Sequence, residues 1–177
     1  MASKKAQELG KRMDAAWENL SRQLHGMDAH LERSDAPGEW TAREILSHLL
    51  LEPGFDPVQT LGRFAERDYP LVEITPGDTY LDDQRRQMTL AQLREALDTQ
   101  RRRVLAFVGG LEDPEFERKA RIPLFKQFMG TDEITIAMYV GALFDYHWND
   151  HASHLARIRQ AVGLATDPGV PSSGVLR

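Results

Sequence analysis

With 177 residues, a formal charge of −5 and no cysteine, the chain is long enough to bury one hydrophobic core, and it offers no thiol for a disulfide, a cysteine nucleophile or a thiolate metal site. Any bound metal must take nitrogen or oxygen ligands. The acidic balance argues against nucleic acid and anionic membrane as partners, the apolar runs fall far short of the roughly 20 residues that span a bilayer, and the charged start MASKKAQELGKR has no apolar signal core, so a cytoplasmic protein is expected.

Periodicity divides the chain into helices. Met13, Trp17, Leu20, Leu24, Met27 and Leu31 recur at alternating spacings of four and three, the stripe of a core-facing first helix over 4–32. SDAPGEW collects turn formers. TARE then supplies Thr41 as N-cap with Glu44 as capping-box partner, and Trp40 is placed to staple onto Ile45. This second helix carries Ile45, His48, Leu49 and Glu52 on one stripe and stops at Pro53 and Gly54. Asp56 and Pro57 open a short helix, and YPLVEITPGDTYLDD at 69–83 reads as an irregular crossing of a length that usually spans a bundle end or covers a site. Thr89 and Gln92 cap a third helix with Leu90, Leu93, Leu97, Val104 and Val108 inward, ending at Gly109 and Gly110. Its run RRRV at 101–104 reads as a solvated face. Residues 113–130, with Pro114, Pro123 and Gly130, are expected to form a structured loop or small hairpin over the bundle. A fourth helix runs from TDEI to Gly163, and the Pro-, Gly- and Ser-rich 164–177 reads as a flexible tail. The expected fold is all-α: one four-helix bundle domain over 1–163 with a long crossover between helices 2 and 3, its rival being a nonbundle helical array.

HWNDHASHLARI at 147–158 sets three histidines on one helical column: Val140, Phe144, His147, His151, His154 or Leu155, Ile158 and Val162, with Asp150 on the turn before His154. One histidine on an apolar face is normally a satisfied core residue. Three together leave several buried donors and acceptors, and a divalent cation satisfies them at once while favouring neutral rings. His48 on the second helix is the cross-helix partner.

EWTAREILSHL at 39–49 and HASHLARI at 151–158 resemble the second- and fourth-helix motifs of the DinB-like, or YfiT-like, four-helix bundles. The resemblance covers residues 5–163. It implies a site in which one histidine of the second helix and an i, i+4 histidine pair of the fourth hold a divalent transition metal such as zinc, nickel or iron. Registering on HLARI puts His48 and His154 in two of those places and Asp150 where a histidine is usual. Asp150 is the preferred third ligand, giving the two-histidine, one-carboxylate set of non-haem iron or hydrolytic zinc sites. His151 or His147 would supply the third nitrogen after a small helix rotation. In a site that has lost its metal, Asp150 would accept hydrogen bonds from His154 or His147.

The function this implies is a metal-dependent enzyme acting on a small molecule. It would be a hydrolase, or a transferase using a low-molecular-weight thiol, in detoxification or stress response. The pocket is expected to be dried by Trp148 and the aromatics of 113–130, with Glu44, Asp145 and Glu52 as candidate acid–base or supporting groups, although capping accounts for Glu44. The alternative is a non-enzymatic bundle whose metal-free histidine network serves ligand binding or dimerisation. A homodimer through apolar positions such as Leu50 and Leu51 fits either reading.

Overall fold

The computed structural model describes residues 2–66, 69–75 and 77–165. Helix α1, Lys4–Gln23, is capped by Ser3 and buries Ala6, Leu9, Met13, Ala16 and Leu20 at helical spacing. It is shorter than its apolar stripe. Gly26 turns the chain at φ 74°, yet Met27 and Leu31 stay in the core, because the single turn of 3₁₀ helix at Asp28–His30 keeps them on the same side.

Helix α2, Ala42–Leu49, has the expected capping box, in which the Thr41 side chain accepts from the Glu44 backbone and Glu44 accepts from the Thr41 backbone. It ends ahead of Pro53, and Leu51 leaves it with φ 65°. The long connection holds α3, Pro57–Arg63, capped by Asp56, and the five-residue α4, Asp83–Gln87, capped by Asp82. Helix α5, Leu90–Gly109, is capped by Thr89 and Gln92 and buries Leu90, Leu93, Leu97, Val104 and Val108.

Residues 113–135 take the hairpin alternative. A 3₁₀ turn at Asp113–Glu117 leads into β1, Lys119–Arg121, which pairs antiparallel with β2, Glu133–Thr135, in the register Ala120 to Ile134. The short α6, Lys126–Met129, lies between them. Because β2 uses Glu133–Thr135, the fourth rod starts later than TDEI, at α7, Ile136–Val140, capped by Thr135. It continues through a six-residue π-helical segment, Gly141–Tyr146, into α8, His147–Ala161. Gly163 follows at φ 77°, the left-handed position expected just beyond a helix.

α1 packs along the fourth rod and against α5, while α2 packs on α8 and α5. Met13, Leu20, Leu46, Leu97, Phe144, Trp148 and Leu155 are all essentially inaccessible in the core between them; each such side chain contributes on the order of 2 kcal/mol of hydrophobic stabilisation. The protein is thus an all-α four-helix bundle with a long crossover between its second and third long helices.

The arginine run at 101–103 is not a uniformly solvated face. Arg101 is largely covered, bonds to Asp14 and Asp98 and lies 5.6 Å over the Trp17 ring; Arg102 pairs with Glu95 and Arg103 with Asp56. Leu50, considered for a dimer contact, packs against the core. No helix among the described residues is long and apolar enough to cross a membrane. The tail reading falls outside the described residues from 166 onward.

Candidate metal centre

Where α2 meets α8, three imidazoles gather. His48, His147 and His151 each offer a ring nitrogen, and the three atoms lie within 4.8 Å of one another. The ring centroids form a near-equilateral triangle, 4.8 Å for His48–His147, 4.9 Å for His48–His151 and 4.8 Å for His147–His151. The fourth-helix members are four residues apart, so one turn of α8 stacks them and α2 supplies the third from across the interface.

Hydrogen bonding sets the protons. His48 Nδ1 lies 2.6 Å from the Asp78 carbonyl. A carbonyl can only accept, so Nδ1 carries the hydrogen and Nε2 keeps a bare lone pair. That lone pair faces His147 Nε2 at 2.8 Å, which must donate to it. His151 Nδ1 is buried with no hydrogen-bond partner among the described residues. All three rings are pushed toward neutrality by burial, His48 downward, His147 to about 3 with a further contribution from His48, and His151 well below the usual histidine value with contributions from His147 and His48.

Aromatic rings close the triangle from outside. Trp40 lies parallel to His151 at 6.1 Å and tilted against His48 at 5.0 Å. Tyr80, from the crossover, stacks parallel to His48 at 6.1 Å; burial, then Asp78 and Glu52, push its phenol pKa up. The expected walls lie elsewhere. Trp148 packs inward on Trp17 and Phe144, because the apolar stripe of α8 runs beside the histidines rather than through them. Among the 113–130 aromatics, Phe125 packs on Tyr139, near the start of the fourth rod.

His154 and Asp150 stand outside the triangle. His154 Nε2 contacts Asp35 Oδ1 at 3.2 Å, and Arg157 Nε donates to Asp35 Oδ2 at 2.9 Å. Burial opposes ionisation of Asp35, but Arg157 and His154 outweigh it and hold its carboxyl below the usual range. Asp150 is half-buried; burial raises its pKa against the pull of Arg157 and His154. Asp145 is tied to Arg12 of α1, at 2.8 and 2.5 Å, and Glu44 is occupied by its cap.

Asp35, Asp78 and Arg157 were not anticipated. Asp35 and Asp78 sit in Pro- and Gly-containing connections with no periodic signal, and they reach the site only through contacts 119 and 30 residues apart in sequence.

A bundle with a helix-borne cluster of neutral imidazoles and no carboxylate among them defines the class of helical proteins built around a candidate metal centre. The family model described as the DinB superfamily matches residues 11–155, and the chain belongs to that superfamily. Among solved structures it is similar to YfiT from Bacillus subtilis, described as a probable metal-dependent hydrolase with an unusual four-helix bundle topology. The two align with a TM-score of 0.66 and 20% identity over 93% of this chain and 92% of that one. A protein of Streptococcus pneumoniae aligns with a TM-score of 0.60 and 13% identity over 92% and 94% of the two chains. Comparison with curated proteins gives no match.

Proposed function

We propose that the protein is a metal-dependent enzyme of the hydrolase type acting on a small molecule, with His48, His147 and His151 as the residues that hold a divalent transition metal. The observation that carries this reading is the convergence of three donor nitrogens within 4.8 Å, from two separate helices. The donor set fits the ion. Burial keeps the rings neutral, as ligation requires, His48 Nε2 carries no proton because of the bond from Nδ1 to Asp78, and His151 Nδ1 has no hydrogen-bond partner among the described residues, a cost of about 1–3 kcal/mol unless something satisfies it.

When bound, a divalent ion with three protein ligands supplies Lewis acidity at an open position. The chain's own part is to orient and to dry. Asp78 fixes the tautomer of His48, Trp40 and Tyr80 cover two of the rings, and Asp150, whose carboxyl is raised toward protonation, is the nearby acid–base candidate on α8. YfiT, with the same topology, supports hydrolysis as the reaction type. Transfer involving a low-molecular-weight thiol is the finer alternative at the same nitrogen-only centre, and it differs in requiring a thiol cosubstrate.

Protein purified without a histidine tag and exposed to zinc or nickel is expected to retain about one ion per chain by elemental analysis, and His48→Ala to retain little. Turnover of a panel of activated esters and amides should require the ion. Turnover only with added thiol would replace hydrolysis by transfer; no retained metal in the wild type would leave a metal-free binding module.

A further inference from the structure

One side chain ties the crossover to the helix that carries His48. Arg85 Nη1 donates to the Ser47 carbonyl at 2.8 Å, to the Ser47 hydroxyl at 3.3 Å and to the Tyr80 carbonyl at 3.2 Å. Ser47 immediately precedes His48. Tyr80 lies two residues after Asp78, the residue whose carbonyl holds His48 Nδ1. Arg85 is itself anchored, since its carbonyl accepts from Arg43 Nη1 at 2.9 Å, and Arg43 also donates to Met88 O at 2.6 Å and to Glu32 at 2.5 Å.

The segment it pins does not relax there by local preference. Tyr80 has φ 52°, a left-handed conformation that costs a tyrosine on the order of 1 kcal/mol or more and persists only where the surroundings impose it. Three bonds impose it: the Tyr80 backbone N–H donates to Asp78 Oδ1 at 2.9 Å, its hydroxyl donates to Thr75 O at 2.8 Å, and its carbonyl is taken by Arg85. With the turn held this way, the Asp78 carbonyl points at His48.

We infer that Arg85 is a positioning residue for the candidate metal centre: by joining Ser47 to Tyr80 it keeps the Asp78 carbonyl on His48 Nδ1, and so keeps the His48 ring as the tautomer whose bare Nε2 faces His147 and His151. The inference rests on the metal-centre reading for its importance but not for its test. Fixing the outer ring nitrogen of a ligating histidine typically changes metal affinity by about 10–100-fold.

The test uses the full chain with nitrogen-15-labelled histidine, first without metal, then titrated with zinc. In the wild type, His48 is expected to show a protonated Nδ1 and unprotonated Nε2. Arg85→Ala should turn this into a tautomer mixture and weaken zinc binding about 10–100-fold. Arg85→Lys, whose ammonium can reach one carbonyl at a time, should restore part of both. Asp78→Ala keeps the backbone carbonyl that meets His48 but removes the Oδ1 that accepts from the Tyr80 N–H, and it should give a smaller shift in the same direction. A wild-type tautomer signature together with wild-type zinc affinity in Arg85→Ala overturns the inference. Should that variant fail to fold, unchanged tautomer and affinity in both Arg85→Lys and Asp78→Ala overturn it equally. A wild type that binds no zinc sinks the metal reading alone, because the tautomer comparison is made on metal-free protein.

Discussion

His151 and His154 lie one turn apart on α8, their rings 6.4 Å from centroid to centroid, yet the protein surrounds them in opposite ways. His154 Nε2 has a carboxylate, Asp35, shared with Arg157, so that nitrogen has its partner within the fold. His151 is buried among two other imidazoles, with Nδ1 unanswered and no carboxylate in its group. A ring nitrogen held by a carboxylate has its partner in the fold, whereas a group of buried neutral rings with an unanswered nitrogen leaves a polar atom unsatisfied.

The largest effect that would break this contrast is on metal affinity. His151→Ala should weaken zinc binding by about 100-fold or more, since it removes one of three ligands, while His154→Ala should stay within about 3-fold of wild type. Calorimetric titration of the two variants side by side decides it; the reverse order would move the centre to His154 and Asp150.

Acid stability sharpens the same comparison. The triad histidines have folded pKa values below the unfolded value of 6.5, so the unfolded chain binds more protons in that window and stability falls as pH drops from 6.5 toward 3. His147, at about 3, is the largest defined contributor, and the total loss should be on the order of a few kcal/mol. Asp35, lowered from 3.8, is also depressed, but its contribution is fully present above 3.8 and is lost only below it. Denaturation midpoints in urea across pH 7 to 3 should therefore drop first through the histidine window. His147→Gln should flatten the part between 6.5 and 4, and Asp35→Asn should leave that part unchanged.

The smallest effect lies on the paired side. Asp35→Asn leaves Arg157 and His154 facing a neutral partner and should cost about 1–2 kcal/mol of stability at pH 7, with zinc affinity unaltered. A matching fall in zinc affinity would show that the two clusters act as one.

Much of the architecture is written in local pattern. The capping boxes at Thr41 and Thr89, the Asp56 cap and the left-handed Gly163 depend on neighbours within a few residues, so they can be read before the chain folds. The start of the fourth rod depends instead on pairing across distance: β2 claims Glu133–Thr135 only because Lys119–Arg121 lies beside it. The π-helical segment Gly141–Tyr146 left no mark in the apolar period.

For the site, the sequence by itself determined that several imidazoles would share one side of the fourth helix and that His48 would sit on the second, because residues three and four apart always share a helical face. Registering on HLARI pointed instead to His154 with Asp150, whereas the rings that meet His48 are those of His147 and His151. Each step of three or four residues moves a side chain about 4.5–6 Å along the helix axis, more than twice a metal–nitrogen bond of about 2.1 Å, so the choice belongs to the axial position at which α2 crosses α8. Only tertiary packing sets that position, and only the folded crossover brings the Asp78 carbonyl and Arg85 to the ring that α2 presents.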